Sequence, residues 1–362
     1  MDKNIVIVEA NRVHFPWLDA LRFIAAFIVL LCHTRNDFFV RYNELPEVQQ
    51  NIFSFAFFFV GKIGYEAVIV FFVLSGFLVG GKGLERMSNN HFDAKSYMID
   101  RMVRIGIPLL SAVVFGIIIM NVIGVDVDYL MALGNVLSLQ GILCDAFVTP
   151  FWSLSYEVWF YVILGAIGLI MDKRKFGMFL FVVCCLVFVK LSPYFLLIWL
   201  MGAFAYYLRP MHFNKVVLYL SFGLVCLFTC LSIGGAESKA IHVPFTINRN
   251  IADVFLAFSL CLFIQQLVLC PPRNRLTIKI ERAFHYLANF SYTLYLTHRI
   301  TLLFIFHVVF DKWSHVLDGK GIALYVCMLF FCVAISWCIY FCTERHTAVV
   351  KKWIKRKWLI EK

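Results

Sequence analysis

Arg22 and His33 lie eleven residues apart within WLDALRFIAAFIVLLCH (residues 17–33), an otherwise apolar stretch that reads as a helix in hydrocarbon. At about 100° per residue, that step returns to within roughly 20° of the same direction and climbs about 16 Å along the axis. Asp19 lies one turn before Arg22 on the same face. One stripe of one helix therefore presents a carboxylate and a guanidinium at one depth and an imidazole most of a bilayer leaflet away. Ionisable groups at membrane depth cost about 3 kcal/mol or more, so their presence there points to function. An imidazole suits proton transfer and a guanidinium suits an anionic ligand. The same residues also fit an Asp–Arg pair with snorkelling ends and a core histidine.

Three further stretches carry chemistry of the same kind. Arg101 and Arg104, one turn apart in KSYMIDRMVRIGIPLL, can grip phosphate or pyrophosphate by charge-assisted bonds, or simply anchor a helix end to anionic lipid. In TPFWSLSYEVWFYV, Trp152, Ser153, Ser155 and Glu157 fall within two turns of a helix start. An aromatic belt accounts for Trp152, Trp159 and Tyr161, but not for a glutamate followed by three apolar turns. In FSYTLYLTHRI, Ser291, Tyr295 and His298 share a face at i, i+4 and i+7, with Tyr292 and Arg299 beside them. His298 is there either as a structural hydrogen-bonding group or as a catalytic one. Gly61, Gly64, Gly76, Gly80 and Gly81 surround FFVLSGFLVG and suit close helix packing or a backbone approached by a ligand.

The elements that must position these groups are transmembrane helices. With 62% hydrophobic and 15% charged residues, the chain is far more apolar than a soluble domain, in which about 25% are charged. It reads as an all-α polytopic membrane protein of about ten spans, near 16–34, 52–80, 103–124, 149–171, 176–190, 191–208, 214–233, 250–269, 284–309 and 319–342. With a cytoplasmic N-terminus, 23 Lys and Arg fall inside and 7 outside, so the positive-inside rule assigns both termini to the cytoplasm. A segment 1–15 precedes the transmembrane domain 16–342, and a basic tail, 343–362, follows it. The net charge of +11 is thus explained by topology, and no nucleic-acid partner is expected. Most of the twelve cysteines lie inside apolar runs without metal-ligand spacing, and no metal is expected. The loop 125–148 is apolar enough to re-enter the membrane. The outer loop 232–250, with Glu237, His242 and Asn248, is assigned no chemistry.

This orientation puts Arg22 in the cytoplasmic half, His33 near the outer face, Ser75 and Gly76 near the inner face, Arg101 and Arg104 at the inner mouth, and Glu157 in the outer half. In that order LDALRFIAAFIVLLCH, FFVLSGFL, RMVRIGIP, FWSLSYEVWFY and FSYTLYLTH resemble the acyltransferase-3 family of integral-membrane O-acyltransferases, which modify sugars of bacterial surface and secreted glycans. The resemblance covers nearly the whole chain. It implies that His33 is the essential histidine, that Arg22, Arg101 and Arg104 serve the acyl-CoA side, and that Glu157, with His298, belongs to the site. It also implies residence in the bacterial cytoplasmic membrane, with acetyl-CoA the leading donor and a glycan or lipid-linked sugar the acceptor. One departure is CTERHTAVV, where a histidine replaces the proline of the family's terminal Glu-x-Pro, so any role of Glu344 is open.

The chemistry requires a thioester held by its CoA phosphates, an alcohol deprotonated, and an oxyanion stabilised. The arginines, with Ser75 and Gly76, are assigned to the CoA side, and His33 to the general base or to an acyl-carrying nucleophile. Glu157 is the expected orienter of His33. Trp152, Ser153 and Ser155 are the expected oxyanion donors, and Asp19, Ser291, Tyr292 and Tyr295 complete the substrate-side set. All of this presumes a continuous polar passage from the inner mouth to His33. The competing assignment is a transporter or flippase for a lipid-linked sugar, with His33, Glu157 and His298 as a proton relay.

Overall fold

The computed structural model describes residues 15–237, 248–270, 275–309 and 315–359. Residues 1–14, His242 and the last three residues of the tail lie outside that set. The architecture is all-α, and no strand forms among the described residues. Among the described residues, eight helices are long and apolar enough to cross a membrane. In chain order the helices are α1 (Pro16–Phe38), α2 (Ile52–Val60), α3 (Gly64–Ser75), α4 (Lys82–Ser88), α5 (Ala94–Val122), α6 (Tyr129–Val136), α7 (Trp152–Met171), α8 (Lys175–Lys190), α9 (Pro193–Tyr207), α10 (Lys215–Glu237), α11 (Arg249–Leu269), α12 (Arg275–Asn289), α13 (Ser291–Val309), α14 (Gly319–Cys342) and α15 (Thr347–Leu359).

Sequence reading locates the membrane-spanning helices but misplaces several ends, and it does not set out α6, α12 or α15 as separate helices. The expected span 52–80 is two pieces. Asn51 caps the nine-residue α2 by accepting from the backbone of Phe53 and Ser54, and a turn at Gly61–Ile63 precedes the true span. That span is α3 and α4 joined through a π-helical segment, Gly76–Gly81. The ninth span, read from 284, starts at Ser291, whose hydroxyl donates to the Ala288 carbonyl where the amphipathic α12 ends. The α8–α9 hairpin consists of helices of 16 and 15 residues, shorter than the eight long spans.

Lipid offers no hydrophobic drive for helix association, so close backbone approach must hold the bundle. The contact between α3 and α9 is of this kind. A Cβ added at Gly76 would collide with the Trp199 carbonyl oxygen, and one at Gly202 with the Val73 carbonyl oxygen. On the other side of α3, Gly64 packs on Cys32 of α1. Along the π-segment, Gly80 lies against the Trp199 ring and Gly81 against Tyr206.

The segment 125–148 tucks inward. Asn135 and Gln140 are buried. Asn135 donates to the Asp145 carbonyl and accepts from the Phe147 backbone, while Gln140 donates to the Phe151 carbonyl. In consequence α7 starts well below the outer end of α5. Tyr295, one turn into α13, already reaches the Pro150 carbonyl with its hydroxyl, at 2.9 Å.

Candidate active site

A cavity of about 610 Å³ opens among the first halves of α1, α5, α7 and α13 and the second half of α3, a volume typical of small-molecule sites. Its charged lining comprises Arg22, Lys82, Arg101, Arg104 and Lys351 against Asp19, Asp100 and Glu157. The cations outnumber the carboxylates, so the chamber favours an anion. Asp19 is held on one side by Arg22 Nη1 at 3.1 Å and on the other by His285 Nδ1 at 2.9 Å, which ties α12 to α1.

Glu157 faces this chamber. Its Oε1 accepts the Tyr161 hydroxyl at 2.6 Å, one turn along α7, and Arg104, Arg101 and Arg22 are the cations within its electrostatic reach. The polarity of the supporting chain can be worked out. The Trp199 indole N–H can only donate, and it donates to Ser75 Oγ at 3.1 Å. The Tyr161 proton is committed to Glu157, so the Ser75 hydroxyl must donate to Tyr161, at 2.9 Å. A one-way chain thus runs from Trp199 through Ser75 and Tyr161 to Glu157. The Arg101 guanidinium lies 5.6 Å from the centre of the Tyr161 ring.

This location corrects the expectation that Glu157 orients His33. The helices α5 and α7 run antiparallel, with Gly165 against Met98 and Tyr97, and Tyr161 against Arg101. Each turn back along α7 is therefore a turn forward along α5, which brings Glu157 to Arg104. Its level is that of Arg22, and His33 stands about 16 Å farther along α1. The depth assigned from sequence took Trp152 as the outer surface, whereas α7 begins deep.

The partner of His33 is His298. Their ring centres are 5.4 Å apart, bringing α1 against α13. His298 is fully buried, and its Nδ1 lies 3.0 Å from the Leu294 carbonyl. A carbonyl only accepts, so Nδ1 carries the proton and Nε2 is left with a bare lone pair; it has no hydrogen-bond partner among the described residues. Outward of the pair, Arg299 and Asp37 form an ion pair.

The expected continuous passage is interrupted. The chamber reaches Val68, Phe71, Ser153 and Tyr295, but neither imidazole lines it. The Tyr295 ring stands between, 6.2 Å from that of His298 and 5.5 Å from that of Phe71. Its hydroxyl lies 2.7 Å from Ser153 Oγ.

The remaining candidates divide by helix face. On α7, Ser153, Glu157 and Tyr161 fall at successive i+4 steps and line the chamber, whereas Ser155 and Trp152 do not. Ser155 Oγ donates to the Trp152 carbonyl, and the Trp152 ring stacks on Tyr65. Neither is available as an oxyanion donor on the chamber wall. Ser75 does line the chamber, but Gly76 is a packing residue whose Cα face is occupied by α9. Ser291, Tyr292, Tyr295 and Asp19 all line it. The Tyr292 hydroxyl is buried and without a hydrogen-bond partner among the described residues, within reach of Arg104 and of both Glu157 and Glu344.

Several residues at the chamber escape sequence reading, among them Tyr161 and Lys351 on its wall, while Glu344 does not line it. Tyr161 was signalled by its i+4 spacing from Glu157. Glu344, left open from sequence, is buried, accepts from Thr293 Oγ1 at 2.5 Å and lies within reach of Arg104 and Arg22. Lys351 gave no local signal, because a basic tail reads simply as a cytoplasmic anchor.

Fold and site together define a polytopic integral membrane protein with a buried, cation-rich chamber and a histidine pair beyond it. The family model for the acyltransferase-3 acyltransferase domain matches residues 15–341, and the chain belongs to that family of membrane acyltransferases. No curated protein and no solved structure matches the chain. The match ends at Phe341, before Glu344 and α15.

The chain ending on Glu157 gives a first prediction. Tyr161→Phe removes the donor to Glu157 and keeps the ring under Arg101. It is expected to slow acyl transfer about tenfold, the size of one hydrogen bond to a charged group. Initial rates in membranes at matched protein level measure this, and a wild-type rate would detach Tyr161 from the site.

Proposed function

We propose that the protein is an O-acyltransferase that moves an acyl group, acetyl first among them, from cytoplasmic acyl-CoA to a hydroxyl of a cell-surface or lipid-linked glycan in the bacterial cytoplasmic membrane. The observation that carries this reading is the cation-rich chamber at one end of α1, with the half-buried His33 and the buried His298 paired farther along it. A proton relay has no use for Arg22, Arg101 and Arg104 gathered at one depth, whereas the phosphates of a CoA thioester do.

In this reading the phosphates sit at the inner mouth against Arg101 and Arg104. The pantetheine arm, equivalent in length to roughly four extended residues, spans about 14 Å and so covers most of the rise from Arg22 to His33. Tyr295 must swing aside for the thioester to arrive. His33 takes the proton of the acceptor hydroxyl as its oxygen attacks the thioester carbonyl. His298, with Nδ1 committed to the Leu294 carbonyl, supports that imidazole from the side. The carbon–sulfur bond then breaks, the sulfur takes the proton held by His33, and the products are the ester and CoA. Tyr292 is the favoured chamber-side donor to the polar atoms of the donor substrate.

The test is transfer of label from radiolabelled acetyl-CoA into membrane glycans by wild-type protein and by His33→Ala. Transfer by wild type and its loss in the variant is the expected result. Label incorporation that persists in His33→Ala would reject the catalytic assignment.

A further inference from the structure

Although the segment after Phe341 lies outside the matched domain, it reaches the chamber. Glu344, held by Thr293, fixes its start, and α15 then packs along the inner end of α5. Thr347, Ala348 and Lys351 form part of the chamber wall. One turn apart on α15, Lys351 and Lys355 converge on a single carboxylate. Their Nζ atoms lie 3.5 and 2.8 Å from Asp100 Oδ1, and Lys355 also donates to Ser96.

One carboxylate cannot neutralise two ammonium groups, and the surplus charge falls beside Arg101, the next residue of α5. The distances separate the two roles. Lys355, closer to Asp100 and tied to Ser96, anchors the helix. Lys351, at the longer contact and on the chamber wall, is the one a competing anion can recruit. Lys352, Trp353 and Arg356 are exposed on the remaining surface, as suits a helix lying against anionic headgroups.

We infer that α15 is a clasp across the inner mouth and that Lys351 is a ligand for the phosphate groups of the incoming acyl-CoA, supplied from beyond the matched domain. This rests on the acyl-CoA reading above. A phosphate entering beside Arg101 meets Lys351 from the chamber side and exchanges a 3.5 Å contact to Asp100 for a charge-assisted hydrogen bond. Lipid headgroups carry the same phosphate chemistry, and the two sources are separable because Lys351 lines the chamber while Lys352 does not.

The experiment is calorimetric binding of CoA to the full chain in nanodiscs of zwitterionic lipid. Lys351→Ala is expected to raise Kd about tenfold, the size of one charge-assisted hydrogen bond. Lys351→Arg should keep most of the affinity, and Lys352→Ala all of it. Equal affinity for wild type and Lys351→Ala would overturn the clasp and leave the acyl-CoA reading standing. Equal losses in Lys351→Ala and Lys352→Ala would reduce the effect to the general positive charge of α15 and overturn it too. Failure of wild type to bind CoA at all would remove the acyl-CoA reading, and the clasp with it.

Discussion

His298→Ala is expected to lower acyl transfer by up to about 10²–10⁴-fold, the range of the general-base contribution of the His33 it supports, while CoA binding in the chamber stays at the wild-type level. The split follows from position. His298 does not line the chamber, so the donor's phosphates do not register its loss. Its ring, however, packs beside His33, with Nδ1 committed to a backbone carbonyl and Nε2 bare. Two residues acting as one unit lose activity together, so His33→Ala with His298→Ala should cost no more than the worse single change. Rates with CoA titrations on the same preparations decide the matter. If His298→Ala retains activity within a factor of about three, the buried imidazole is structural, since general acid–base loss is larger than that.

Gly76→Leu is expected to abolish accumulation of folded protein. The first added carbon meets the Trp199 carbonyl oxygen, which belongs to the α9 backbone and cannot rotate away, and Gly202 makes the reciprocal approach to Val73. Overpacking of this kind costs about 3 kcal/mol or more where backbones must part, a large share of a stability of roughly 5–15 kcal/mol. Gly223→Ala is the control. Nothing lies within 4 Å of an added Cβ there, and alanine in an exposed helix interior is worth up to about 1 kcal/mol over glycine. Fluorescence-detected size exclusion and thermal stability in detergent read both. A monodisperse Gly76→Leu protein of wild-type stability would mean that α3 and α9 do not meet as described.

The helices were legible because an apolar run of membrane length has few alternatives, and the stripe from Asp19 through Arg22 to His33 follows from helical period alone. What helical period cannot supply is register between helices. Counting from Trp152 as the surface pairs Glu157 with His33, but the inward tuck of 125–148 starts α7 deeper and delivers the glutamate to Arg104. Ser155 and Trp152 fail for a simpler reason: a motif read as a string ignores that only one face of α7, that of Ser153, Leu154, Glu157 and Tyr161, borders the chamber. Glu344 and Lys351 become site residues only once the chain has folded back from α14 onto α5, a placement that no local pattern encodes.

The Tyr295 ring, pinned through its hydroxyl at Pro150 and Ser153, closes the chamber on the side of the two histidines. A ligand held by the chamber cations therefore meets an aromatic wall before it meets either imidazole. Joining the two regions requires this side chain to turn, at the cost of both of its hydrogen bonds.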